Sequence, residues 1–117
     1  MGEFEIRPAT GEDIPLLLSF IRSMAEFERL PVSATEESLR AAMFGDRPAA
    51  QALLAFLDGT PVAYAVCFES FATMVGRRGL WLDDLYVKPE YRSRGIGTAL
   101  MAHLASLAVE KGCARFE

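Results

Sequence analysis

Two rhythms alternate along this chain, one of period two and one of period 3.6, and together they predict eight elements. Phe4-Glu5-Ile6-Arg7 alternates apolar with polar and predicts a short strand stopped by Pro8. Thr10 offers an N-cap oxygen, with Glu12 and Asp13 in the first turn of a helix. Its apolar positions Ile14, Leu17, Leu18, Ile21 and Met24 keep helical spacing, and it ends near Glu28, before Pro31. Thr35, Glu36 and Glu37 open a second, shorter helix with Leu39, Ala42 and Met43 on its buried side.

Strands follow. Gln51 to Leu57 is nearly all apolar, Asp58-Gly59-Thr60-Pro61 is a turn, and Val62 to Phe68 is the return strand. Phe71 to Gly79 reads as a loop, Leu80 to Val87 as a fourth strand and Pro89 to Arg94 as a turn. Gly95 to Lys111 is a long helix with Ile96, Leu100, Leu104 and Leu107 on one face, and Gly112 sits at its C-cap. Cys113 to Glu117 opens another strand. Strands that begin so late normally continue, so the chain is expected to be a piece of a longer protein. The order β-α-α-β-β-β-α-β is an antiparallel meander followed by a strand–helix–strand crossover. It predicts an α/β fold of the mixed-sheet (α+β) kind, with helices on both faces.

Composition narrows the function classes. A chain of 117 residues is one domain, 1–117, large enough to bury a core. Apolar residues make up 51% and charged residues 24%, which excludes disorder. The net charge of −4 speaks against nucleic-acid binding but leaves room for a local basic patch. Cys67 and Cys113 stand far apart in no metal-ligand spacing, so two reduced thiols and no metal are expected. With acids through the first twenty residues and no long apolar run, neither a signal peptide nor a membrane role is expected, and the reducing cytoplasm is the expected compartment.

The chemistry concentrates between Gly79 and Thr98. A strand carrying Asp83 and Asp84 runs into the basic, glycine-punctuated turn Arg92-Ser93-Arg94-Gly95-Ile96-Gly97-Thr98, from which the long helix starts. Free backbone N–H groups, a helix N-terminus and two arginines at one point suit a pyrophosphate. No G-x-x-x-x-G-K-[ST] run exists, and Leu100 stands where a dinucleotide fingerprint needs a third small residue, so both common phosphate loops fail. The competing reading is a glycine-rich helix start with surface arginines.

These residues carry a family likeness. LDDLYVKPEYRSRGIGTAL resembles the acetyl-CoA-binding motif of the GNAT superfamily of N-acetyltransferases. IRPATGEDIPLLLSFI, AEFE and LDDLYV are similar to its diamine (spermidine/spermine) branch, and the likeness runs from Phe4 to the end. It implies an acyl-CoA N-acyltransferase fold whose C-terminal helix and last strands lie beyond this chain, and an enzyme that moves acetyl from acetyl-CoA to a primary amine of a small cationic substrate. In that family a Tyr on the later helix commonly protonates the departing thiolate. The alternative is an acetyl-CoA-binding fragment without activity. The likeness further implies that backbone groups of Leu85, Tyr86 and Val87 pair with the pantetheine arm, and that N–H groups of Arg94, Gly95, Gly97 and Thr98 hold the pyrophosphate. Arg92 would add positive charge, the thioester would lie near Asp83 to Leu85 at a distortion of the strand, and a homodimer is implied.

The paired acids admit two readings. Alternation sends Asp83 and Asp84 to opposite faces of an otherwise apolar strand. Either could be a structural acid, hydrogen-bonded to loop backbone or paired with Arg77 or Arg78. The functional reading is that Asp83, one methylene shorter than the Glu of the diamine branch, takes the amine's proton through water. Asp84, Glu26 and Glu28 would then form the negative pocket that selects a cationic amine. Trp81 and Tyr86 read as sheet packing, and His103 as a surface or half-buried residue.

Overall fold

A computed structural model describes residues 4–117, and its elements follow the predicted order. β1 (Phe4–Pro8) leads through a 3₁₀ turn into α1 (Ile14–Glu28), followed by α2 (Glu36–Met43). β2 (Gln51–Leu57), β3 (Thr60–Ala72) and β4 (Arg77–Val87) form the meander, and α3 (Ile96–Glu110) crosses to β5 (Arg115–Phe116). The sheet order is β1-β2-β3-β4-β5, antiparallel except for the β4–β5 pair.

The sheet separates two apolar layers. Against one face α3 lays Ile96, Leu100, Leu104 and Ala108 on Leu53, Ala55, Ala63, Ala65, Leu80 and Val87. On the other face α1 and α2 bring Ile14, Leu17, Leu18, Phe20 and Leu39 against Ala52, Leu54, Tyr64 and Tyr86. Helices cover both faces, as the alternating pattern predicts.

Several expected details differ. Asp58 and Gly59 both take positive φ, 51° and 83°, so the β2–β3 turn is two residues long and β3 starts at Thr60. The segment Phe71–Gly79 is not a loop. β3 continues to Ala72, β4 begins at Arg77, and Gly79 pairs with Ser70. Cross-strand pairing sustains the hairpin there despite the glycines. Of the α2 positions only Leu39 is buried, and Ala42 is exposed, because a helix of two turns offers a single row to its neighbour. His103 is half-buried on α3.

β4 is not a regular strand. Val66 faces Asp84 while Cys67 faces Leu82, which leaves Asp83 as an extra, unpaired residue, a β-bulge. The bulge changes the phase of the side chains. Leu80 and Leu82 join the α3 layer, and so do Leu85 and Val87, although an unbroken alternation would set the two pairs on opposite faces. Simple alternation across Asp83 therefore does not hold.

The start of α1 is anchored by an acid. The Thr10 N–H donates to Asp13 Oδ2 at 2.8 Å, and the Thr10 hydroxyl donates to the same oxygen at 3.3 Å rather than capping the helix itself. Arg7 of β1 grips both Asp13 oxygens, at 2.8 and 3.1 Å, and so ties strand to helix. The Arg7 hydrogen bond, helped by the Thr10 amide, holds the Asp13 carboxyl down at about 2, against 3.8 ordinarily. A carboxyl with a depressed folded pKa contributes stability above its unfolded value and loses it as pH falls through the folded one. Asp13→Asn is expected to cost about 1–2 kcal/mol at pH 7, the higher end following from the shift and the lower from the partial exposure of Arg7. Urea midpoints of the two proteins should converge as pH drops from 4 to about 2. A gap that persists at pH 2 would assign the effect to packing instead.

Candidate active site

The turn after β4 builds a cradle from backbone. Pro89–Tyr91 makes a short 3₁₀ turn, and Ser93 and Gly95 then take positive φ, 65° and 84°. Gly95 serves as N-cap of α3, and the Ala99 N–H is bonded to the Gly95 carbonyl at 2.9 Å. The amides of Gly95, Ile96, Gly97 and Thr98 precede any intrahelical acceptor and stand at the positive end of the helix. A cleft of about 240 Å³ lies over them, lined by Val87, Tyr91, Arg92, Ser93, Gly95, Ile96, Gly97 and Thr98. A Cβ at Gly97 would meet nothing closer than Leu85 Cδ2 at 3.9 Å and Val87 Cγ2 at 4.0 Å. The fold itself does not require a glycine there. Within a helix, a glycine costs about 0.5–1 kcal/mol relative to alanine, and its bare backbone lets an anion approach closely. The cradle fits a diphosphate.

Two more clefts continue the line. A cleft of about 350 Å³ is bounded by Met24, Phe27, Glu28, Leu85, Tyr86, Val87 and Arg92. Another of about 280 Å³ is enclosed by Ile21, Met24, Ala25, Glu28, Tyr64, Asp84 and the loop Leu30–Ala34. Val87 and Arg92 are common to the first and second clefts, Met24 and Glu28 to the second and third. Three neighbouring clefts therefore follow one another from the glycine turn along β4 to an acid. A separate cleft of about 320 Å³ between Gln51, Cys67 and Lys111 contains none of the candidate residues.

The two aspartates meet different surroundings. Asp83 is exposed at the bulge. Asp84 is half-buried and lines the third cleft, where the Tyr64 hydroxyl donates to its Oδ2 at 3.4 Å. Burial, above all, pushes the Asp84 carboxyl up, and Asp83 and Glu28 push the same way against the Tyr64 hydrogen bond. Burial first, and then the charge of Asp84, raises the Tyr64 phenol. Neither aspartate pairs with the hairpin arginines. Arg78 bonds Glu69 at 3.2 Å, and Arg77 donates to the Gly112 carbonyl at 3.3 Å.

Of the remaining predicted residues, Glu28 joins Asp84, whereas Glu26 is exposed and lines none of the three clefts. The Lys88 N–H bonds Val62 of β3 at 2.9 Å. By alternation the main-chain groups of Asp84 and Tyr86 also turn to β3, while those of Leu85 and Val87 turn to the outer edge. Arg92 reads that edge. Its Nε donates to the Val87 carbonyl at 2.8 Å, and its guanidinium lies 5.0 Å from the Phe27 ring and 5.4 Å from the Tyr86 ring. Arg94 is exposed over Tyr91, at 5.4 Å from the ring centre. β5 meets β4 only as far as Leu82, whose N–H donates to the Glu117 carbonyl.

Sequence reasoning missed Tyr64, Met24 and Phe27 as site residues. Tyr64 did leave a signal, since it is the one large residue in Val62-Ala63-Tyr64-Ala65-Val66 and carries a polar tip into a buried strand. Met24 and Phe27 follow from the helix wheel only once the facing strand is known.

A family model described as the acetyltransferase (GNAT) family matches residues 18–117. Thialysine N-epsilon-acetyltransferase of Sus scrofa is 37% identical over 99% of this chain and 74% of its own length. Spermidine/spermine N(1)-acetyltransferase-like protein 1 of Homo sapiens is 28% identical over 97% of this chain and 17% of its own. Among solved structures, a predicted acetyltransferase from Clostridium acetobutylicum with acetyl-CoA superposes with a TM-score of 0.79 at 18% identity, covering 98% of this chain and 79% of its own.

The cradle geometry separates its two glycines. Gly95→Ala forces an L side chain to φ 84° and is expected to lose about 1 kcal/mol. Gly97→Ala should gain about 0.5–1 kcal/mol by helix propensity, since its Cβ meets only ordinary contacts. Thermal unfolding of the two variants checks the contrast. Equal losses would show that Gly97 serves the fold.

Proposed function

The chain belongs to the acetyltransferase (GNAT) family, and we propose that it moves the acetyl group of acetyl-CoA to a primary amine of a small cationic substrate, diamine or lysine-like. The observation that carries this reading is the succession of clefts from the glycine cradle to the acid, neighbours through the residues they share. Acetyl-CoA, when bound, supplies the acetyl group as an activated thioester. The amides of Gly95, Gly97 and Thr98, with that of Arg94, hold its diphosphate, and Arg92 and Arg94 add positive charge around them. The outer-edge groups of Leu85 and Val87 guide the arm, with the Val87 carbonyl shared with Arg92 and Tyr86 contributing its ring as a wall.

An amine of this class arrives as ammonium, with a pKa of roughly 10, and must lose a proton before it attacks. Asp84 and Glu28 provide the negative field that draws the cation in, while Glu26, exposed and outside the clefts, adds only to the surrounding negative charge. The apolar walls Ile21, Met24 and Leu30 suit an aliphatic chain. The raised Asp84 carboxyl suits a proton acceptor, because a base works best when its pKa nears the working pH. Asp83, exposed at the bulge, meets solvent and is the alternative acceptor, taking the amine's proton through water. Transfer is read as direct: the amine attacks the thioester carbonyl and the CoA thiolate leaves. A homodimer, supported by the likeness to the diamine branch, and a cytoplasmic setting, supported by the two unpaired thiols, complete the proposal.

Two measurements test it. In titration calorimetry, Gly97→Leu combined with Arg94→Ala is expected to weaken acetyl-CoA binding at least tenfold, and unchanged affinity would refute the cradle assignment. In a thiol-release assay over a panel of diamines and lysine analogues, Asp84→Asn should lower kcat/KM by about 10²–10⁴. Cofactor binding without turnover of any amine by the unmodified chain would contradict the enzyme reading.

A further inference from the structure

We infer that Tyr64 is a positioning residue for Asp84: its hydroxyl holds Oδ2 at the floor of the acidic cleft, so that Oδ1 is the oxygen left to receive the amine's proton. The inference rests on the role given to Asp84 above.

The Tyr64 ring is fully buried. It stacks on Phe20 at 5.3 Å and 22° and tilts against Tyr86 at 6.4 Å and 52°. Phenylalanine would fill that slot equally well, so packing leaves the hydroxyl unexplained. That hydroxyl stands 3.4 Å from Asp84 Oδ2 and 3.4 Å from Met24 Sδ. A thioether is a weak acceptor, so the proton goes to the carboxylate. At 3.4 Å the contact is longer than the usual 2.7–2.8 Å of an O–H···O bond, a common state of catalytic hydrogen bonds before substrate excludes water.

Asp84 faces Glu28 from α1, Asp83 on its own strand and Tyr64 from β3. The two acids favour its protonated form, as burial does, and among the described residues the phenol alone donates to its charged form. Without the hydroxyl, Asp84 would hold its proton to higher pH. It would then be the wrong species for general-base work over the acid side of the profile. A conservative Tyr64→Phe change, which preserves both ring contacts, isolates this effect.

The test uses the chain as it is. The Asp84 carboxyl is followed by ¹³C NMR titration, its signal identified by loss in Asp84→Asn, alongside the pH profile of kcat/KM with 1,4-diaminobutane. Tyr64→Phe is expected to move the Asp84 titration and the acid limb of the profile upward together by about 0.5–1 unit. The activity loss should be three- to tenfold at low pH and vanish as pH rises, with KM for acetyl-CoA unchanged. A titration at the same pH in both proteins, or a loss equal at every pH, would overturn the inference. Should Tyr64→Phe not fold, incorporation of 3-fluorotyrosine, whose hydroxyl is the stronger donor, should shift Asp84 downward, and no shift would overturn it. The NMR arms judge the pair even if no amine is turned over, so the enzyme reading can fail separately.

Discussion

β4 has to feed two apolar layers at once while carrying the acids, and period-two geometry alone does not permit it. Leu80 and Leu82 must face α3, and so must Leu85 and Val87, yet the two pairs differ in parity. The extra residue at Asp83 reconciles them. It also exposes one carboxylate while placing the next, Asp84, in a half-buried position beside Tyr64. The polar chemistry of the strand is thus concentrated where the ladder is already interrupted, at a point where the apolar layers lose least.

The glycine turn depends on β4 in a second way. Val87 ends the strand, lines the cradle and gives its carbonyl to Arg92, so strand and turn share one wall. Arg92 in turn lies against Phe27 of α1 and Tyr86 of β4. Its contacts join the helix that roofs the acidic cleft to the turn that forms the cradle. A side chain legible in the sequence only as positive charge thereby becomes part of the geometry.

Local signals were the ones the sequence displayed well. The Asp58-Gly59 turn, the end of α1 before Pro31, the start of α3 at Gly95 and its stop at Gly112 all depend on residues within a few positions of the event. What escaped depends on partners distant in the chain. The bulge shows only in the register of β4 with β3, and the extension of β3 to Ala72 depends on pairing with Arg77. The Asp84–Tyr64 contact joins residues twenty positions apart, and Ala42 is exposed because of what α2 packs against rather than what it contains. The glycine turn and the helix start after it were readable as local structure, whereas the different burial of Asp83 and Asp84 was not.

The separation of cradle from acid also limits what the site can use. From Asp84 to Val87 is three residues of strand, roughly 10 Å, with the cradle beyond. A compact phosphate could fill the cradle, but nothing would carry it to the acid. A ligand that serves both ends needs a diphosphate at one end, a reactive group at the other and a slender polar arm between. The outer edge of β4 offers that arm the main-chain groups of Leu85, and of Val87 where Arg92 does not already hold them. On the proposed reading, the strand that separates the two ends would also select a ligand able to join them.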